Sequence, residues 1–231
     1  MNVTELPPVT ILIVTYDRPQ EIRRTINALL HRIQYQGKLR WHIADDGSPG
    51  NYVPDILDEF HHLDVHHSIT NRKGWGANVN KALASIPTDY IFLNEDDYVA
   101  FRDMDLTHGV ALLEANKELG AVRYDGLEGH KLNLKLRESE TTVGRLNYLR
   151  IVKDSPDLNV YSHRPHLKHR RLHDQLGTYT ENISLGETED DFAHRVKDHE
   201  GPPHIAILPS GIPRAYDHIG KSRQGTSLDQ L

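Results

Sequence analysis

Asn94-Glu95-Asp96-Asp97 follows directly on the apolar run Tyr90-Ile91-Phe92-Leu93. Three consecutive carboxylates repel one another, and a cation among them relieves the repulsion. Hard oxygen ligands at the carboxyl end of a strand suit Mg²⁺ or Mn²⁺ carrying a substrate's phosphates. A solvated acidic turn is the plainer alternative. A second acidic group, Glu187-Thr188-Glu189-Asp190-Asp191, precedes Phe192 and Val196. Their four-residue spacing fits a helix packed through one face, with its acidic end pointing elsewhere. Carboxylates in a first helical turn also simply favour the helix dipole. Gly74-Trp75-Gly76-Ala77 opens a further helix whose backbone can approach phosphate or ribose oxygens, and Arg72 and Lys73 just before it add cations suited to a diphosphate. Trp75 either shields a base or packs as an ordinary surface aromatic. His218, within Tyr216-Asp217-His218-Ile219-Gly220, is an imidazole suited to Mn²⁺ or a structural histidine.

The elements that must position these groups alternate in type. Val9 to Thr15 is a β-branched run of the kind buried on both faces of a sheet. Ile22, Ile26, Leu29, Leu30 and Ile33 then mark one face of a helix. Leu39 to Ala44 reads as a second strand ending at Asp45-Asp46-Gly47-Ser48-Pro49, where Ser48 can cap a helix running to about Phe60. A short strand around Leu63 to Ile69, a helix carrying Val79, Ala82, Leu83 and Ile86, and the strand Asp89 to Leu93 complete the lead-in to the acidic triplet. A helix over Leu106 to Leu119, with Gly120 at C′, and a strand Ala121 to Tyr124 come next. This alternation predicts an α/β fold with a mostly parallel sheet covered by helices on both faces, its ligands gathering at the strands' carboxyl ends. The second half differs. Lys131 to Arg137 alternates strictly as a half-exposed strand, with Val143 to Val152 as its hairpin partner. Lys153 to Gly186 reads as a loop-rich region with one or two short helices, and His204 to Leu208 as the last apolar strand.

Composition narrows the classes. The 231 residues fit a single domain and contain no cysteine, which excludes disulfides, thiolate metal sites and cysteine nucleophiles. Val9 to Val14 is too short to span a bilayer, and the first residues lack a signal-peptide pattern, so a soluble, cytoplasmic protein is expected. A net charge of −6 argues against general nucleic-acid binding, while sixteen histidines make the charge pH-sensitive. His61, His62, His66 and His67 read as solvated. His163, His166, His169 and His173 have near-helical spacing that Pro165 interrupts, against a zinc site. The basic stretch His163 to His173 reads either as a solvated loop or as a cradle for an anionic acceptor.

Taken in order, Val9 to Pro19, Ala44-Asp-Asp-Gly-Ser48, Asn71-Arg-Lys-Gly-Trp-Gly-Ala-Asn78 and Leu93-Asn-Glu-Asp-Asp97 resemble family-2 glycosyltransferases of the GT-A fold over about the first 120 residues. The resemblance implies a Rossmann-like GT-A domain with a small antiparallel β element and a loop-rich C-terminal region. Residues 1–124 would form the nucleotide-sugar half and 125–231 the half that holds the acceptor and catalytic base. It implies donor contacts from Thr15, Tyr16, Asp17, Arg18, Asp46 (to a uracil N3–H), Arg72, Lys73, Gly74, Asn78, Asp96, Lys221 and Arg223. Mn²⁺ or Mg²⁺ would be held by Asp96, Asp97 and His218. Asn94 departs from the family's first aspartate and leaves the liganding position open by one residue. The second acidic cluster resembles the segment that carries the base, with Asp190 the first candidate, Asp191 the runner-up and Glu189 beside them. The implied activity is metal-dependent, inverting transfer from a nucleotide sugar, most simply a UDP-sugar, to a hydroxyl of a glycan, lipid-linked saccharide or modified nucleic acid. The rival classes are a non-catalytic nucleotide-sugar binding module and a nucleotidyltransferase with a similar metal site.

Overall fold

The β-branched run at the start forms β1 (Val9–Thr15), every residue of which is buried. The computed structural model describes residues 5–50, 52–124, 133–141, 144, 146–208 and 214–220. After β1 come α1 (Pro19–Arg32), β2 (Ile33–Gln34), β3 (Leu39–Asp45), α2 (Val53–Glu59), β4 (Val65–Ile69), α3 (Gly74–Ser85) and β5 (Tyr90–Glu95). The chain continues through β6 (Tyr98–Ala100), β7 (Met104–Asp105), α4 (Leu106–Ala115), β8 (Leu119–Arg123), β9 (Leu136–Glu140) and β10 (Asn147–Ile151). Last are β11 (His166–His169), α5 (Arg171–Leu176), α6 (Leu185–Asp198), β12 (His204–Ile207) and β13 (Tyr216–His218).

Nine strands form one sheet in the order β4-β3-β1-β5-β11-β8-β12-β10-β9. The pairings set β4, β3, β1, β5, β8, β12 and β9 in one direction, with β11 and β10 running against them. Alternation along β1 explains the two cores. Val9, Ile11 and Ile13 face the layer of α1, α2 and α4 through Ile22, Ile26, Ile56, Val110 and Leu113. Leu12 and Val14 face α3, α5 and α6 through Val79, Leu83, Leu172, Phe192 and Val196. This is the α/β architecture of a GT-A fold. No helix among the described residues is long and apolar enough to cross a membrane.

Several elements differ from the sequence reading. Ser48 does not cap α2. Its hydroxyl bonds Asp45 and Tyr52 instead, and the helix begins at Val53. α4 stops at Ala115, so Gly120 lies inside β8, where a Cβ would press on Leu172 and Pro203. The largest difference is the basic stretch. It contains β11, a strand at the centre of the sheet between β5 and β8, in which Leu167 and Lys168 are wholly buried. Arg170 and Arg171 end helices. Arg170 donates to the carbonyls of Leu83 (3.2 Å) in the last turn of α3 and of Ile86 and Thr88 (3.0 Å) just beyond it, and Arg171 donates to Leu113 at 2.9 Å near the end of α4. Cations there satisfy orphan carbonyls and complement the helix dipole. Neither the solvated loop nor the anion cradle survives for these two side chains. The strand expected over Lys131 to Arg137 lies further along the chain as β9 and shares only Leu136 and Arg137 with that range. Its expected hairpin partner within Val143 to Val152 is β10, paired antiparallel with it. Lys131, Leu132 and Val143 lie outside the described residues.

Candidate active site

Parallel register brings the chemistry-bearing residues to one end of the sheet. Thr15 pairs with Asp45 and Val14 with Glu95, so the segments after β1, β3 and β5 emerge side by side. Between them lies a cleft of about 230 Å³. Of the expected donor-binding residues, Thr15, Tyr16, Arg18, Asp46, Arg72, Gly74, Asn78 and Asp96 line it. Val14, Trp75, Glu95, Ile183, Ser184 and Leu185 complete the lining. Asp17 and Lys73 are exposed and are not part of it. Lys221 and Arg223 lie outside the described residues.

The acidic triplet is withdrawn from solvent: Asp96 and Asp97 are 3% and 2% exposed, and Glu95 Oε1 is buried without a partner among the described residues. Asp96 accepts from the Thr15 hydroxyl at 2.7 Å, the Tyr16 N–H at 3.3 Å and Arg18 Nη1 at 3.1 Å. The same Arg18 nitrogen also donates to Asp97 Oδ2. Burial pushes the Asp96 carboxyl up to about 7 against the pull of Thr15 and Arg18. Burial, then the charges of Asp97, Asp96 and Glu189, hold the Glu95 carboxyl well above the usual carboxylate range. Asn94 turns its amide to the carbonyls of Glu95 (2.6 Å) and Tyr98 (3.0 Å), so it serves the turn.

His218 reaches this cluster through the chain's last described strand. β13 pairs antiparallel with β6, setting His218 opposite Tyr98 and its Nε2 3.0 Å from Asp97 Oδ2. The following Gly220 lies so close to Asp97 that any Cβ would strike that carboxylate. Among the described residues, no three His, Asp or Glu side chains form a ready-made metal cage. Two carboxylates suffice for an ion that takes its remaining ligands from water and substrate phosphates. The donor set fits such an ion: Asp97 Oδ1 is buried without a partner among the described residues, and the opposed oxygens already hold a cationic group.

At the other end of the cleft, Asp46 accepts from the Thr70 hydroxyl (2.6 Å) and the N–H groups of Lys73 (2.9 Å) and Gly74 (3.0 Å). It thereby takes the Gly74 N–H, one of the amides at the start of α3 that the sequence reading offered to phosphate or ribose oxygens. One of its roughly four acceptor positions stays available. Gly76 serves packing, because the Thr180 carbonyl occupies the place of a Cβ. Asn78 holds the Ala44 carbonyl at 2.9 Å and so ties α3 to β3. The Arg72 guanidinium lies 4.0 Å above the Tyr16 ring.

Helix α6 begins with Ser184 and Glu187 in reciprocal capping contact. The acidic residues that follow separate by face. Asp190 is exposed on the same face as Gly186 and His194, and among the described residues its carboxylate makes no hydrogen bond. Asp191 is held by Thr180 at 2.8 Å and Arg195 at 2.6 Å. Glu189 turns inward, accepting from the Ser162 hydroxyl (2.7 Å) and the His163 N–H (2.8 Å). Of the three, Glu189 is the one whose charge bears on Glu95 of the acidic cluster. Sequence reasoning also missed the ring stack of Trp75 on His163, 3.7 Å between centroids. No local pattern joins residues so far apart.

Residues 10–177 match the model of glycosyl transferase family 2, and the chain belongs to that family. No curated protein sequence matches it. Among solved structures, Staphylococcus aureus TarS 1-349 in complex with UDP-GlcNAc is similar at 17% identity and a TM-score of 0.66, covering 97% of this chain and 61% of that one. The mannosyltransferase PcManGT from Pyrobaculum calidifontis, in complex with GDP-Man and Mn²⁺, is similar at 16% identity and a TM-score of 0.66, covering 96% and 59%. GalNAc-T7 with UDP, GalNAc and Mn²⁺ is similar at 13% identity and a TM-score of 0.65, covering 89% and 43%. The chain thus spans about three fifths or less of the length of these neighbours, and the likeness is one of fold.

Proposed function

We propose that this chain transfers a sugar from a nucleotide sugar, most simply a UDP-sugar, to an acceptor hydroxyl by a single displacement that inverts the anomeric carbon. The observation that carries the reading is the buried Asp96–Asp97 pair at the end of β5, beside a cleft lined by Thr15, Tyr16, Arg18, Asp46 and Arg72. Family membership supports it, as do the nucleotide-sugar and Mn²⁺ ligands of the structural neighbours.

In this reading Tyr16 and Arg72 flank the base and ribose, and Asp46 offers its remaining acceptor position to a uracil N3–H. Asp96, Asp97 and His218 would hold Mn²⁺ or Mg²⁺, which supplies positive charge to the diphosphate as it leaves. Lys221 and Arg223 keep their assignment to that diphosphate from sequence alone. Glu189 takes the proton of the acceptor hydroxyl, whose oxygen forms the new bond to C1 while the C1–phosphate oxygen bond breaks. Ser162 and the His163 N–H hold one Glu189 oxygen and so fix its direction. The acceptor carries a hydroxyl. An anionic acceptor gains no support from Arg170 and Arg171, which are spent on helix ends. The test is nucleotide release from panels of UDP- and GDP-sugars with Mn²⁺ and mixed glycan acceptors. Faster turnover of a UDP-sugar supports the reading, and no turnover of any donor sinks it.

A further inference from the structure

The two buried carboxylates proposed to bind metal already have a cation between them. A single nitrogen, Arg18 Nη1, bonds both Asp96 Oδ1 (3.1 Å) and Asp97 Oδ2. Two ionised carboxylates this dry repel strongly when unpaired, and a cation between them relieves that repulsion. Arg18 differs from an ordinary buried partner in its position. Its side chain is 21% exposed, lines the cleft, and springs from a turn whose N–H bonds the Tyr52 hydroxyl at 3.4 Å. Its Nη1 meets both carboxylates, and the same residue lines the cleft assigned to the donor.

We propose that Arg18 is the resident counter-cation of the metal-free site. The divalent ion displaces it from Asp96 and Asp97, and the donor's diphosphate receives it, so metal and nucleotide bind as a pair. This inference rests on the metal reading above. An ion arriving alone must expel a bridging guanidinium into water. With a diphosphate present, the expelled fork gains two phosphate oxygens in a planar, charge-assisted contact. The difference is a coupling free energy, and it is reciprocal: nucleotide tightens metal as much as metal tightens nucleotide. The other groups on these carboxylates are the Thr15 hydroxyl and the Tyr16 N–H, which donate to Asp96, and the exposed His218 imidazole beside Asp97.

The test is Mn²⁺ binding, read by the electron paramagnetic resonance of the free ion, with and without UDP. It compares wild type with Arg18→Met, Arg18→Lys and Asp97→Asn. Arg18→Met is expected to bind Mn²⁺ alone about tenfold more tightly than wild type, with UDP adding correspondingly less. Arg18→Lys keeps a point charge and the fold but cannot fork, and gives a smaller tightening in the same direction. Unchanged or weaker Mn²⁺ binding in the Arg18 variants overturns the proposal. If Arg18→Met fails to fold, Arg18→Lys decides by the same criterion. Mn²⁺ binding that survives Asp97→Asn, or no binding by wild type even with UDP, removes the metal reading itself and the Arg18 role with it.

Discussion

Glu189 and Asp190 are neighbours in sequence that face different surroundings, and the base assignment turns on that difference. Glu189→Gln is expected to lower kcat by about 10²- to 10⁴-fold while leaving UDP affinity nearly unchanged. Asp190→Asn, on the solvent face, should stay within a few-fold of wild type. Initial rates beside UDP titrations separate the two, and a large loss in Asp190→Asn alone would return the base to that residue. That an acidic cluster opens this helix was legible in the sequence. Which carboxylate turns inward was not, because consecutive helical positions differ by about 100° and three acids in a row leave the phase open. Asp96 and Asp97 were legible for the opposite reason. A buried β-branched strand fixes where its end must lie, and the triplet lies just past it.

At the scale of elements, β11 and α3 carry the sharpest consequences. The basic stretch around β11 was read as loop because His, Lys and Arg break any apolar pattern. The structure instead covers Lys168 with Tyr179, whose hydroxyl accepts from its Nζ at 3.0 Å, and spends Arg170 and Arg171 on helix carbonyls. Arg170→Ala is accordingly expected to cost about 2–3 kcal/mol of stability in denaturant unfolding, since it strips charged hydrogen bonds from three carbonyls. Retention on heparin should not change. Lost polyanion binding with unaltered stability would restore the cradle. Gly76→Ala should cost about 1–3 kcal/mol, because a methyl group there meets the Thr180 carbonyl, which is backbone and cannot rotate away. A thermal melt of the variant at the stability of wild type would contradict that packing role.

For the whole molecule, strand–helix alternation was enough to read the parallel half of the sheet and the end at which it binds. The antiparallel insertion of β11 was not readable, because no local signal states which strands become neighbours. The buried histidines give the fold an acid limit. Burial, then the charges of His66 and His67, lowers His42 to about 4, and burial lowers His166 to about 3. The unfolded chain therefore binds more protons than the native one below about pH 6.5, and these groups remove stability as pH falls through that window. Asp96, raised by burial, works the other way between about pH 4 and 7, so a variant is a cleaner probe than the wild-type slope. His42→Leu should flatten the fall of Tm between pH 6.5 and 4 and leave the curve above pH 7 parallel to wild type. A slope unchanged below pH 6.5 would show that His42 protonates freely in the folded state. The measurement that bears most directly on the whole account is calorimetric titration of UDP and GDP, each with and without Mn²⁺, into wild type and Asp97→Asn. The account predicts that UDP binds more tightly than GDP, that Mn²⁺ strengthens this binding, and that Asp97→Asn weakens the Mn²⁺-dependent part by tenfold or more. Absence of diphosphate binding in wild type, or Mn²⁺-dependent binding indifferent to Asp97, would contradict it.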